Sequence, residues 1–230
     1  MSEENSPVRP TPALKTPTLT LLLNQSAALH RHLCPRQVLG VRMGLCGPAR
    51  LGLDVQRDDK RLLTLVETDG CAADGVSVAT GCTVGHRTLR VMDFGKVAAT
   101  FVDVCTGEAV RVAPRPGVRE TARQLVPGAE SRWHAQLEGY QIMPDDELLV
   151  VQPVTLTLSL EKLLSKPGYR VACEACGEEI INEREVLQQG RVLCRACAGQ
   201  SYYGIREDAP RADRQGRFSQ RAGQRRRLIA

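Results

Sequence analysis

Apolar residues recur at helical spacing early in the chain and at strand spacing through its middle. Thr18 to His32 sets Leu19, Leu22, Leu23 and Ala27 on one helical face. Cys34-Pro35 then interrupts. The residue before a proline is pushed off helical angles, whereas proline itself suits a first helical position. A second helix is therefore expected to start at Pro35, with Cys34 as its N-cap. Arg61 to Thr68 reads as a strand closed by Asp69-Gly70, and Cys71 to Thr80 as a short helix stopped by Gly81.

Three apolar runs follow, TLRVMDFG, KVAATFVDV and EAVRVAP, separated by Gly, Asp and Thr-Gly turns. Their length and spacing predict an antiparallel meander. Two polar helices come next, GVRETARQLVP and GAESRWHAQLEGY, and DELLVVQPVTLTLS returns as a strand edged at Pro153. The expected fold is α+β, with helices packed on an antiparallel sheet across residues 17–165. A loose lead-in occupies 1–16, a cysteine-rich module 169–204, and a basic, disordered tail 205–230. LSKPGYR reads as the linker to the cysteine-rich module.

Composition narrows the function. The chain has 230 residues and is 42% hydrophobic but only 3% aromatic, so it can bury a core built mainly from Leu, Val and Ala. No run approaches the ~20 apolar residues that span a bilayer. The N-terminus lacks the basic-then-apolar order of a signal peptide, so a cytoplasmic protein is expected. The net charge of +5 resides in the tail, where eight arginines after Ile205 face three acids. Everything before Arg206 is neutral, which argues against a nucleic-acid partner for the body of the protein.

Nine cysteines, an odd number, point to metal ligands or reactive thiols in a reducing compartment. Cys173-x2-Cys176 and Cys194-x2-Cys197 lie seventeen residues apart. Each pair offers two thiolates from a tight turn, and together they make a closed tetrahedral site for structural Zn2+. A redox double pair or an iron–sulfur cluster is the weaker reading of the same residues, since ferredoxin spacings differ. A ~30-residue segment buries too little to fold alone, so the metal must supply its stability. Between the pairs, acids outnumber arginines, a face that repels phosphate.

The second concentration is LHRHLCPRQVLG. His30 and Cys34 are i and i+4 on a continuing helix, with His32 between them. Cys34 and Cys71 both stand at expected helix starts, where backbone N–H groups favour a thiolate. His30, His32, Cys34 and Cys71 are thus a candidate core metal site, and Cys34 and Cys71 candidate catalytic thiols. Cys82 and His86 extend the group. Cys46 and Cys105 read as small apolar filler, and His134 as a half-exposed helix residue.

Taken together, HRHLCPRQVLGVRMG, then ETDGCAADGVSVATGCTVGHRTLRVMDFGKVAATF, then the four-cysteine module resemble the FmdE-like family, the E subunits of formylmethanofuran dehydrogenase. The family's His-Gly-His-x-Cys-Pro-Gly opening falls on His30, His32, Cys34 and Pro35. Its Cys before an Asp-Ala-Ile-like segment falls on Cys71 and Asp74, and its Thr-Gly-Cys-Thr-x-Gly-Lys turn on Thr80, Gly81, Cys82, Thr83 and Gly85. Arg31 and Arg36 replace glycines of that pattern, and Gly75 and His86 replace an alanine and a lysine. Arginines beside a thiolate are expected to lower its pKa.

The resemblance implies an α+β core with a treble-clef-like zinc finger, a cleft gathering the His and Cys residues, and a homodimer. It also implies an accessory or regulatory role beside a larger redox-enzyme partner in one-carbon or molybdenum/tungsten-linked metabolism. A small metal- or thiol-dependent enzyme and a zinc-finger adaptor acting through the tail are the competing expectations.

Overall fold

The computed structural model describes residues 18–206. The expected lead-in (1–16) and nearly all of the basic tail (205–230) lie outside those residues. The chain divides into two compact units at Leu164/Ser165.

The first unit opens with α1 (Leu19–His30), whose first turn is capped by the Thr18 hydroxyl. It ends on Arg31 in the left-handed region, φ 61°. This explains the family's glycine: a helix C-terminus needs that backbone angle, and glycine adopts it without strain. α2 (Pro35–Arg50) then begins as expected, with Cys34 extended at its N-cap and Pro35 at its first position. β1 (Leu62–Val66) and α3 (Cys71–Thr80, closed by Gly81 at φ 74°) follow.

The sheet strands are β2 (Leu89–Val91), β3 (Ala99–Asp103), β4 (Ala109–Pro114) and β5 (Leu149–Val154), in spatial order β2-β1-β3-β4-β5. One expectation needs correction. β2 does not lead the meander; it pairs parallel to β1 on the side away from β3. The ten-residue α3 carries the chain across the sheet, and a helical crossover delivers the next strand parallel. β3, β4 and β5 are the antiparallel meander. Pro153 sits on the edge strand β5, where a missing N–H is tolerated.

α4 (Val118–Leu125), α5 (Arg132–Ile142) and the single turn α6 (Asp145–Leu148) fill the connection from β4 to β5, and α7 (Leu160–Leu164) closes the unit. β1 is buried along its whole length because both faces of the sheet are covered. Leu62 and Val66 join the cluster beneath the helices with Val38, Met43 and Phe101, whereas Leu63 and Leu65 join Val102 and Ala109 on the other side. The core is Leu/Val/Ala-rich, but its two largest fully buried side chains are Tyr140 and Phe101.

α2 and α3 cross at backbone distance. A Cβ on Gly40 would lie 2.3 Å from the Ala72 carbonyl oxygen, and one on Gly75 2.5 Å from that of Gln37. Gly75 therefore has a packing reason in this chain. Arg42 is buried on α2 and binds the end of α5, donating to the carbonyls of Tyr140 (2.8 Å) and Met143 (2.6 Å) and to Asp145 (2.7 Å). That satisfies carbonyls the helix leaves without partners.

The second unit is small. β6 (Arg170–Ala172) pairs with β7 (Glu179–Ile181), and β8 (Val186–Gln188) with β9 (Arg191–Leu193), the latter as a hairpin turning on Gln189 (φ 53°) and Gly190 (φ 77°). A helical turn, Ala196–Gln200, ends it. Among the described residues, only Cys173, Ile180 and Leu193 form its buried apolar centre. Among the described residues, no helix is long and apolar enough to cross a membrane.

Candidate functional site

The second unit converges on four sulfurs. Cys173 and Cys176 bracket the turn after β6, and Gly177, at φ 80°, returns its N–H to the Cys173 carbonyl at 2.8 Å. Cys194 ends β9 and Cys197 sits in the final helical turn. The four ligand atoms lie within 4.8 Å of one another, and Cys176 Sγ and Cys194 Sγ are 3.9 Å apart. Thiolates ~2.3 Å from a tetrahedral zinc ion stand about 3.8 Å from each other, so the spacing fits the metal.

The electrostatics agree. Backbone N–H groups of Cys176 and Cys194 hold the Cys173 thiol down at about 6, whereas Cys197 is pushed up to about 12, chiefly by the neighbouring Cys194 and Cys176 sulfurs. Four thiolates this close repel, and a divalent cation removes the repulsion. Hairpin, knuckle and closing helical turn give the treble-clef-like arrangement expected. Four thiolates would leave a zinc ion no open coordination position, the ligand set of a structural site.

In the first unit the histidines and cysteines separate into pairs. α1 stops at His30, whose Nε2 meets Asp74 Oδ2 at 2.6 Å. His32 follows in the bend, with Nδ1 2.9 Å from the His30 carbonyl. A carbonyl only accepts, so His32 Nδ1 is the donor in this contact. Cys34 is buried, and its N–H donates to Gln37 Oε1 at 2.8 Å. Cys71, at the start of α3, lies beside it. Burial pushes the Cys71 thiol up, and the adjacent Cys34 adds to this; Arg36 opposes more weakly. The expected lowering by arginine thus operates at Cys71 but is outweighed.

His32, Cys34 and Cys71 line one cleft of about 890 Å³ in the first unit. His30 is turned to Asp74 rather than into that wall. Among the described residues, only the four finger cysteines form a group of three or more metal-ligand side chains within 4.8 Å. Cys82 is buried with its thiol 3.5 Å from the Leu62 carbonyl, and neither it nor His86 lines the cleft. Cys46 is buried, as a filler should be. Cys105 is not: it is exposed in the turn after β3, its N–H donating to Asp103. The turn there is fixed by Asp103 and Gly107, so no packing demand falls on position 105. His134 is half-buried on α5, with Nδ1 3.0 Å from the Ser131 hydroxyl.

The remaining wall was not legible in the sequence. Arg115, Arg119, Arg123, Arg132, Trp133 and Tyr140 complete it. The only available signal was the arginine content of the two polar helices, which reads equally well as solvated surface.

The family model described as "FmdE, Molybdenum formylmethanofuran dehydrogenase operon" matches residues 29–150, more than half of the chain. The chain belongs to the FmdE family. A second model, the prokaryotic dksA/traR C4-type zinc finger, matches residues 167–203. With the four clustered cysteines, it marks this FmdE-family chain as a zinc-binding protein. A protein of Archaeoglobus fulgidus named "Probable S-adenosyl-L-methionine-binding protein" is 32% identical over 217 residues, covering 81% of this chain. This chain spans 55% of that relative's length. The crystal structure of an FmdE-like protein of the tungsten formylmethanofuran dehydrogenase type, from Syntrophus aciditrophicus, aligns with a TM-score of 0.56 at 23% identity. The alignment covers 82% of this chain and 96% of that one and shows a shared fold.

Proposed function

We propose that this FmdE-family protein is a zinc-stapled accessory or regulatory subunit in one-carbon or molybdenum/tungsten-linked redox metabolism. It acts in the cytoplasm as a homodimer beside a larger redox-enzyme partner, and its working site is the Cys34–Cys71 pair. The observation that carries this reading is the meeting of two thiols from separate helix starts on the wall of one cleft. Burial favours the neutral Cys71 thiol, so a metal bound there would displace its proton, and His32 lines the same wall. Two neighbouring cysteine sulfurs are half of a metal shell, open to a ligand or to donors from a second subunit. The family and the FmdE-like relative from Syntrophus support the metabolic setting. The sequence lacks a dinucleotide fingerprint, a P-loop and a ferredoxin-type cysteine run, so the redox chemistry belongs to the partner.

A second reading is a small thiol-dependent enzyme with Cys34 as nucleophile, Cys71 as resolving thiol and His32 as base. His32 lines the same cleft as both cysteines, which supports this reading. The name of the Archaeoglobus relative adds S-adenosyl-L-methionine as a candidate ligand, although this chain matches only part of that protein. An adaptor role through the arginine tail ranks last, given the acidic segment of the finger.

The test is elemental analysis of anaerobically purified wild type and Cys34→Ala, with light scattering for the dimer. A second metal equivalent, lost with Cys34, supports the metal reading. One zinc per chain in both variants, with unreactive Cys34 and Cys71, overturns it. A monomer at micromolar concentration overturns the homodimer.

A further inference from the structure

The cleft of the first unit is far more cationic than the neutral composition of the chain body suggests. Arg36, Arg115, Arg119, Arg123 and Arg132 line it, against a single acid, Glu120. Glu120 is already engaged, 3.5 Å from Arg123. Arg115 turns Nε to the Asp146 carbonyl, a contact that leaves its charge uncompensated. Arg119 reaches the Tyr140 hydroxyl, which is neutral. Among the described residues, no carboxylate forms an ion pair with Arg36, Arg119 or Arg132.

These charges are not scattered over a convex face. They surround a concavity of about 890 Å³, within the roughly 300–1,000 Å³ range of small-molecule sites and much larger than one inorganic ion needs. The backbone adds to the field. α2 and α3 start at this cleft with Cys34 and Cys71, α4 starts there with Val118, and α5 with Arg132. Four helix N-termini direct partial positive charge to the same space. Trp133 lines the cleft beside these guanidinium groups, 43% exposed, with His134 in edge contact at 4.9 Å.

We propose that the arginine-lined cleft binds a phosphorylated small molecule of nucleotide size, its phosphates held by Arg36, Arg119 and Arg132 and its planar ring against Trp133. Guanidinium groups grip phosphate bidentately, and unpaired ones in a concave site gain most from a multiply charged anion. The same field opposes the sulfonium and ammonium groups of S-adenosyl-L-methionine. The proposal uses the cleft of the proposed function but not its thiols.

The experiment titrates the full chain with ADP by calorimetry and with pyrophosphate by fluorescence, since Trp133 is the only tryptophan. Saturable binding of both is expected, weakened about tenfold or more by Arg119→Gln and by Arg132→Gln and unchanged by Arg57→Gln outside the cleft. Zinc content and circular dichroism confirm that the variants fold. ADP binding is read on the wild-type chain independently of its metal content, so failure of the thiol site in metal analysis leaves this result standing. Absence of saturation below about 1 mM, a negligible affinity for a dedicated site, overturns the proposal. So does binding that survives both cleft variants but is lost in Arg225→Gln/Arg226→Gln/Arg227→Gln, or S-adenosyl-L-methionine binding more tightly than ADP.

Discussion

Gln37 holds Cys34 in place from inside the core. Its Oε1 accepts the Cys34 N–H at 2.8 Å, while Nε2 donates to the Ser26 carbonyl at 2.7 Å and the Ser26 hydroxyl at 3.2 Å. Gln37 and Ser26 are both fully buried. One side chain therefore ties the end of α1 to the start of α2 and sets the bend that carries His30 and His32. Replacing Gln37 with Met keeps the volume and strands the buried Cys34 N–H and Ser26 hydroxyl, while the Ser26 carbonyl keeps its partner within α1. A loss of about 2–4 kcal/mol follows from such unsatisfied groups. Urea unfolding followed through Trp133 measures it, and Cys71 should become more accessible to thiol reagents in parallel. An unchanged midpoint would show that water replaces Gln37 without penalty.

The α2–α3 crossing supports a second prediction. The Gly40 position faces backbone, the Ala72 oxygen at 2.3 Å and the Gly75 Cα at 3.0 Å, and backbone cannot swing aside as a side-chain tip can. Gly40→Val must push the helices apart and with them the Cys34 and Cys71 helix starts. Overpacking costs about 1–3 kcal/mol, and more where the obstacle is rigid. Gly85→Val is the control, since nothing lies near its Cβ position. Equal melting temperatures for the two variants would refute the close crossing.

How far the sequence spoke depended on the range of the interactions. Pro35, Gly81 and Gln189-Gly190 act within a turn or two of themselves, so α2's start, α3's stop and the β8–β9 hairpin were readable. The four finger cysteines were readable because metal geometry dictates their spacing. β2 was misplaced because TLRVMDFG is equally apolar beside either neighbour, and only packing of α3 decides. The cleft's arginines lie on polar helices whose pattern does not distinguish solvent from a concavity. Arg42 was invisible too: its partners come some hundred residues later, at the end of α5.

Zinc removal should unfold the second unit and leave the first folded. The finger's apolar centre is three residues, too little to hold it folded without metal. A chelator, or Cys176→Ser, is expected to abolish hydrogen-exchange protection across residues 170–200 and to release zinc stoichiometrically. The strands β1 and β3, buried along their whole length, should keep their protection. Retained protection in a zinc-free finger would mean that its hairpins fold by themselves.

The last prediction concerns acid. Asp103 is almost wholly buried at the end of β3, and Arg61 donates to both its oxygens at 2.9 and 2.6 Å. That guanidinium is the main reason the Asp103 carboxyl is held down at about 2; burial opposes it, and the Cys105 N–H assists. A carboxyl with a depressed folded-state pKa stabilises the protein at all pH values above its ordinary one, ~3.9. As pH falls from about 4 toward 2, the unfolded state takes up a proton that the folded state refuses, and this stabilisation is lost. Asp103→Asn removes that titration. Its urea midpoint should be lower than wild type at pH 6, because Arg61 loses its partner, and should fall less steeply between pH 4 and pH 2. Trp133 fluorescence reports on the first unit, so protonation of the finger cysteines does not enter the reading. Parallel acid limbs for wild type and variant would mean that Asp103 titrates normally and that the Arg61 contact contributes nothing to folding.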